Sequence, residues 1–318
     1  MTRSLPTLPP ETMQLTIAAD GSVAGLFVSE AMRQALGGFA VMGEAPDFWD
    51  GFTAPVALSA DLGTLRTTVL DAMRECHLCE YHCGTDRTAP LDRRSVCGVG
   101  TESRVAQVTV LGAEEAPISP AATVFFAGCA LRCAHCHSSS FSWDAAQGSA
   151  LTADAVVDRL LATGMPKTVQ FVGGNPDHHL LFALDVIAAL RVRCGAAMPP
   201  IVWNSALYVP EQVVAWLGQV VDVFLPDFKW WEDRCARIVG KVPSVVDRQA
   251  RDKRYAVVLA RNVAAISTRA RLIVRHVPVP GHEACCTDPI RRWAARQPRL
   301  QGRGGMYHEP PFLSVTAR

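Results

Sequence analysis

From about Val105 onward, the apolar positions follow a repeating order. A short apolar run comes first, then a polar or glycine-containing turn, then a longer segment with apolar residues three and four apart. Runs of the first kind cover residues 123–127, 168–172, 201–203, 221–225 and 272–277, with a weaker one near Met306. Short continuous apolar runs read as strands buried on both faces. Between them lies helical spacing. Val156, Val157, Leu160 and Leu161 mark a helix that Thr152 caps and Gly164 ends. Leu180, Leu181, Leu184, Ile187 and Leu190 form the stripe of another over 177–193. Pro210 opens a short helix, and residues 248–263 and 288–295 read as two more. Strand and helix in alternation predict an α/β fold with five or six units around a parallel sheet.

The first third of the chain has a different texture. Pro6, Pro9 and Pro10 suggest an irregular start. Residues 13–17 partly alternate, Asp20-Gly21 is a hairpin-type turn signal, and 23–28 could be the returning strand. A small appended hairpin with a helix is expected there. Residues 62–75 read as a helix through Leu65, Val69 and Met73. That helix delivers the chain to Cys76, Cys79 and Cys83, and Cys97 follows between Ser95-Val96 and Gly98-Val99-Gly100. Four cysteines in one loop-rich stretch predict a metal site, with structural zinc and a second iron–sulfur cluster both suited to it.

Composition narrows the functional classes. With 318 residues and 49% hydrophobic content, the chain can build one large core with an appendage. The 31 basic and 30 acidic residues leave a formal charge of +1, so neither a nucleic acid nor an anionic membrane is an expected partner. No apolar run approaches the roughly 18 residues of a spanning helix, and a cytoplasmic location is expected. Eleven cysteines are then better explained by metal than by disulfides. Seven fall in two clusters. Cys194 and Cys235 read as small buried hydrophobes, whereas Cys285-Cys286 divides evenly between packing and a place at the site.

The second cluster carries the chemistry. Val124, Phe125, Phe126 and Ala127 lead into Gly128, and Cys129, Cys133 and Cys136 follow. A strand running into a loop of three close thiolates suits a four-iron, four-sulfur cluster with one iron unligated. Zinc would need a fourth ligand, which His135 or His137 could supply. In α/β architectures ligands sit at the C-terminal ends of strands. The other strand ends carry Gly173-Gly174-Asn175-Pro176, Asn204-Ser205, Pro226-Asp227-Phe228-Lys229 and Arg275-His276. Any one of these alone reads as a turn or a helix cap. Their shared rim is what points to a site. His276 alone would read as a core histidine, and Trp230-Trp231 as loop packing or the lining of an opening.

The CxxxCxxC run after a short apolar strand resembles the signature of the radical S-adenosylmethionine (SAM) superfamily. The resemblance implies a partial (β/α)6 barrel. It also implies a [4Fe-4S] cluster on Cys129, Cys133 and Cys136 whose open iron chelates the methionine part of SAM. Reductive cleavage then gives a 5′-deoxyadenosyl radical. Gly173-Gly174-Asn175-Pro176 resembles the glycine-rich SAM motif, with Asn175 where the family more often has Glu. Asn204 and Ser205 match positions that bind the ribose or carboxylate in relatives. Asp227 and Lys229 resemble the Asp-x-Lys motif of glycyl-radical-enzyme activases, as does Arg275-His276 followed by Pro280-Gly281. His135 stands where the family usually has an aromatic residue. With Gly112-Ala113-Glu114-Glu115 and the cysteines at 76, 79, 83 and 97, residues 70–295 are most similar to PflX-type proteins, those called pyruvate formate-lyase activating enzyme-like.

These readings combine into a three-part chain. Residues 1–60 form an appendage, 61–115 a Cys-rich metal-binding segment and 116–318 the barrel. The expected activity is SAM cleavage followed by hydrogen abstraction from a small molecule or peptide. Asp227, Lys229, Arg275 and His276 are the candidate catalytic residues. Gly173, Gly174, Asn175, Asn204, Ser205 and Asp227 are the candidate SAM ligands. An electron donor of flavodoxin or ferredoxin type is implied. The alternatives are an activase that installs a glycyl radical on a partner enzyme, and a non-catalytic iron–sulfur electron carrier or sensor.

Overall fold

The computed structural model describes residues 13–17, 23–28, 47–91, 93–112, 115–164, 166–242 and 252–310. The prolines at 6, 9 and 10, the Asp20-Gly21 turn, Ala113 and Glu114, and the start of the helix expected over 248–263 lie outside these residues. β1 (Met13–Ile17) and β2 (Val23–Val28) pair antiparallel, as the N-terminal pattern predicts. Among the described part of 1–60 there is a 3-10 turn, Val56–Leu58, and no α-helix.

The rest is a mixed α/β fold on an eight-stranded sheet. β3 (Arg104–Leu111), β4 (Ala121–Phe126), β5 (Ser149–Ala150), β6 (Thr168–Val172), β7 (Ile201–Ser205), β8 (Val223–Pro226), β9 (Arg271–Arg275) and β10 (Gly305–His308) lie in the order β10-β9-β8-β7-β6-β4-β3-β5. The six strands from β4 to β10, leaving out β5, are parallel and adjacent in chain order. β3 and β5 add an antiparallel edge that the apolar pattern did not announce, because an edge strand buries less of its surface.

Helices fill the connections. α1 (Leu62–Ala72) precedes the cysteines, and α2 (Ser139–Ser142) follows the loop after β4. α3 (Ala153–Ala162) and α4 (Leu180–Cys194) connect β4 to β6 and β6 to β7. α5 (Glu211–Leu217) lies between β7 and β8. α6 (Asp233–Val239) and α7 (Tyr255–Ala265) come between β8 and β9, and α8 (Asp288–Ala294) leads to β10. Thr152 caps α3 by accepting from Ala155 N, as its residue type predicts. The expected helix over 177–193 instead begins as a 3-10 turn, Pro176–His179, before α4.

Side-chain alternation divides the sheet into two faces. Phe126, Phe171, Trp203, Phe224, Leu272 and Val274 pack with the helices in the main core. Val202, Val223, Leu225, Ile273 and Met306 point the other way, where Phe48 and Ile118 cover them. Burying Phe48 is worth about 1.5–3 kcal/mol, and Trp49 adds an N–H donated to Pro117 O at 2.7 Å. Residues just ahead of α1 therefore close one end of the sheet's second face.

Asp222 pins this arrangement. Its carboxylate accepts from Ile201 N at 2.7 Å and Val56 N at 2.8 Å, and burial pushes its pKa up to about 6. The ordinary value is 3.8. A carboxyl raised on folding takes up a proton between those two values. It favours the fold at the acid end and loses that contribution as pH rises through about 6. Asp222→Asn removes the titration. Denaturant unfolding from about pH 4 to about 6 is expected to show the variant gaining on the wild type as pH rises. A constant difference across the window would contradict this.

Candidate functional site

The three-cysteine loop leaves β4 at Gly128, which has φ +97°. A Cβ there would lie 2.8 Å from Val99 Cγ2 and 2.9 Å from Ala145 Cβ. The loop after β6 meets it main chain to main chain. Asn175 N donates to Gly128 O at 3.1 Å, and a Cβ on Gly174 (φ +47°) would come within 2.2 Å of that same oxygen. Only glycine fits this approach. His178 Nε2 accepts from Ala130 N at 3.1 Å, and the His179 ring stacks on Phe126 with centroids 4.5 Å apart. Further along, Arg132 N and Ala134 N donate to Gly240 O and Val239 O at the end of α6. The Arg132 guanidinium donates to Cys129 O at 2.6 Å. The loop is thus held from outside at Gly128, Ala130, Arg132 and Ala134.

Cys129 and Cys133 are buried and Cys136 is half-buried. Burial raises the Cys129 thiol, with Cys133 and Cys136 adding to the effect. Burial also pushes Cys133 up to about 11, against the opposing charge of Lys229. Two thiols raised by burial, with a third beside them in the same loop, suit a bound cationic centre, which reverses that balance and takes them as thiolates.

Of the cysteines at 76, 79, 83 and 97, Cys97 packs against this loop. Cys97, Val99 and Ala130 form one small cluster. Cys76 and Cys83 share a thiol hydrogen bond, and Cys79 is raised by burial and by Cys97. Arg87 fastens the segment: it donates to Val99 O at 2.7 Å, to Gly100 O at 3.2 Å and to His178 O, and lies 3.7 Å from Cys76 Sγ.

Next to the loop, the second face of the sheet turns from apolar to polar. Residue alternation places Asn204, Asp227 and Arg275 beyond Val202, Leu225 and Ile273 on one side. Arg275 donates to Asp227 Oδ1 at 2.6 Å, Asn204 Oδ1 at 2.8 Å and Glu115 Oε1 at 3.2 Å. Lys229 Nζ donates to Asp227 Oδ2 at 2.7 Å, and His308 Nδ1 lies 3.3 Å from Glu115 Oε1. Burial alone would raise Asp227, but Arg275 and Lys229 hold its carboxyl well below the usual range. Burial would lower Lys229, yet Asp227 and Cys133 raise it. Asn204 Nδ2, Glu115 Oε2 and Gln170 Oε1 are buried without a hydrogen-bond partner among the described residues. Such atoms are expected where a polar ligand belongs.

Residues 120–224 match a family model described as a 4Fe-4S single cluster domain. That stretch holds β4, the three cysteines, β6 and β7. An uncharacterized protein of Methanocaldococcus jannaschii is 30% identical over 231 residues, 68% of this chain and 60% of that protein. The chain spans about 60% of the length of the relative it matches. A 4Fe-4S-binding domain is present, and Cys129, Cys133 and Cys136 are the clustered cysteines inside it, with Cys194 apart from them on α4. No helix among the described residues is long and apolar enough to cross a membrane.

The strand-end residues singled out by sequence separate into two sets. Gly173, Gly174, Asn204, Asp227, Lys229 and Arg275 gather at the cysteine loop or on the polar face. Asn175 and Ser205 turn inward instead: Asn175 Nδ2 donates to Asp177 Oδ2 at 3.1 Å, its Oδ1 accepts from Ala206 N at 3.3 Å, and Ser205 also bonds Asp177. His276 takes its packing role, with Nδ1 donating to Phe228 O at 2.7 Å and Nε2 accepting from Thr287 Oγ1 at 3.0 Å. Trp230 is buried, and Trp231 stacks on Phe228. Sequence reasoning gave no role to Arg87, His178 or Glu115, whose partners lie far away in the chain. Cys235 is buried in the main core, as its reading as a small hydrophobe expects, but it also stands beside His282, Cys285 and Cys286, which that reading did not foresee.

The Gly128–Gly174 approach gives a direct expectation. Gly174→Ala should fail to hold a cluster, so iron per chain after anaerobic reconstitution should fall several-fold. Gly63→Ala, whose Cβ would meet only Asp61 Oδ1 at 3.6 Å, should load normally. Full iron loading of Gly174→Ala would contradict the geometry.

Proposed function

We propose that the chain is a radical SAM enzyme acting on a small molecule or peptide. The carrying observation is the polar group of Asn204, Asp227, Arg275 and Glu115, with unpartnered buried atoms, beside a loop of three thiols. Three protein ligands leave one iron of a four-iron cluster for an outside molecule. The six parallel strands are consistent with the partial (β/α)6 barrel of that superfamily. When bound, the cluster supplies the electron that splits SAM into methionine and a 5′-deoxyadenosyl radical.

The chain's own residues position and shield. Gly173 and Gly174 bring bare main chain to the cysteine loop, suited to a methionyl ammonium. Asn204 Nδ2 offers a donor to a carboxylate or ribose oxygen. Asp227 stays ionised beside Lys229 and Arg275 and can accept from a hydroxyl. Lys229, whose charge acts on Cys133, keeps a cation next to the thiolates. The buried surroundings exclude water and other hydrogen donors from a reactive radical. The cysteines at 76, 79, 83 and 97 would hold zinc or a second cluster behind the loop. A flavodoxin or ferredoxin is the class of electron donor such a site requires.

Anaerobic protein given SAM and dithionite is expected to release 5′-deoxyadenosine, and Cys133→Ala is expected to release none. A cluster that is reduced and reoxidised without any 5′-deoxyadenosine would leave an electron carrier or sensor. Deuterium passing from a partner enzyme's glycine into 5′-deoxyadenosine would make the chain an activase.

A further inference from the structure

A third cysteine group stands away from the two already described. Cys235 lies on α6, whereas His282, Cys285 and Cys286 lie in the turn between β9 and α8. Cys235 Sγ is 3.3 Å from His282 Nδ1 and 3.6 Å from Cys285 Sγ, and Cys285 Sγ is 3.5 Å from His282 Nδ1. Cys286 completes the set, with all four ligand atoms within 4.8 Å of one another. The main-chain N–H groups of Glu232 and Trp231 also point to the Cys286 sulfur.

We infer that Cys235, His282, Cys285 and Cys286 form a tetrahedral zinc site that staples α6 to the segment leading into α8. Zinc bonds of about 2.3 Å to sulfur and about 2.0–2.1 Å to nitrogen put tetrahedral edges at about 3.8 Å for S···S and about 3.6 Å for S···N. The separations among Cys235, His282 and Cys285 fall just inside those values, and Cys286 lies within 4.8 Å of all three. A disulfide needs its sulfurs at about 2.05 Å. A cubane spreads its ligands over separate irons and sets their sulfurs wider apart. Cys3His is a common structural zinc set. On binding, the three thiols release their protons to solvent and His282 coordinates through neutral Nδ1. No electron is transferred.

The site reaches the cysteine loop by two routes. The carbonyls of Val239 and Gly240, at the far end of α6, hold Ala134 N and Arg132 N. Trp230 packs edge-on to both His282 and His135, at centroid distances of 6.0 and 4.9 Å. Zinc on Cys235 therefore steadies the helix that supports the loop, whatever reaction the loop serves.

The test uses the full chain with added Zn2+. Differential alkylation read by mass spectrometry is expected to show Cys235, Cys285 and Cys286 protected together, and labelled together once a chelator removes the metal. Cys235→Ser and Cys285→Ser should each lose one zinc per chain in elemental analysis. Where a variant fails to fold, the wild-type protection pattern decides. Equal labelling with and without zinc, iron in place of zinc on these residues, or a disulfide-linked Cys235–Cys285 peptide would overturn the assignment. None of these outcomes depends on SAM cleavage.

Discussion

The Gly128 carbonyl receives the amide of Asn175, and Gly174 passes so close that no side-chain carbon fits between them. This contact joins the loop after β4 to the loop after β6. Parallel pairing of the two strands brings their ends together, and two glycines let the ends touch. His178 and His179 then follow as consequences. The 3-10 turn that starts at Pro176 carries His178 to the Ala130 amide and His179 onto the face of Phe126. The three thiols inherit their positions from a backbone contact rather than from one another.

The second face of the sheet follows similar economy. One set of alternating positions supplies both an apolar floor and a polar rim. Val202, Leu225 and Ile273 are covered by Phe48 and Ile118, and two residues further along the strands become Asn204, Asp227 and Arg275. Paired charges in such a place are costly to break, because each partner left behind keeps its desolvation without its counterion. Asp227 serves two cations at once, so it organises the rim as well as ionising within it. Glu115 extends the same network from outside the strands, reaching Arg275 and His308.

Much of this was legible in the chain. Continuous apolar runs and helical patterning located the parallel strands and most helices to within a few residues, because central strands are apolar on both faces. The cysteine spacing located the metal loop, because ligands close in space there are also close in sequence. What stayed hidden depends on approach across long separations. Phe48 resembles any other aromatic residue until it meets Ile273. Asn175 and Ser205 occupy strand ends, yet Asp177 draws them inward. His276 had two readings, and its two satisfied nitrogens fit the quieter one. Cys235 looked solitary because its partners lie about fifty positions on; only folding makes it a neighbour of His282. The adjacent pair Cys285-Cys286 was the one local hint of that group.

The central claim is that three thiolates leave one iron free for SAM. Electron–nuclear double resonance on the reduced protein tests it most directly, with SAM carrying 15N in the methionyl amine and 17O in the carboxylate. The account predicts that both labels couple to the cluster spin at bonding distance, and that coupling disappears when Cys129, Cys133 and Cys136 are replaced by alanine. A reduced cluster that shows neither coupling in the presence of SAM would contradict it.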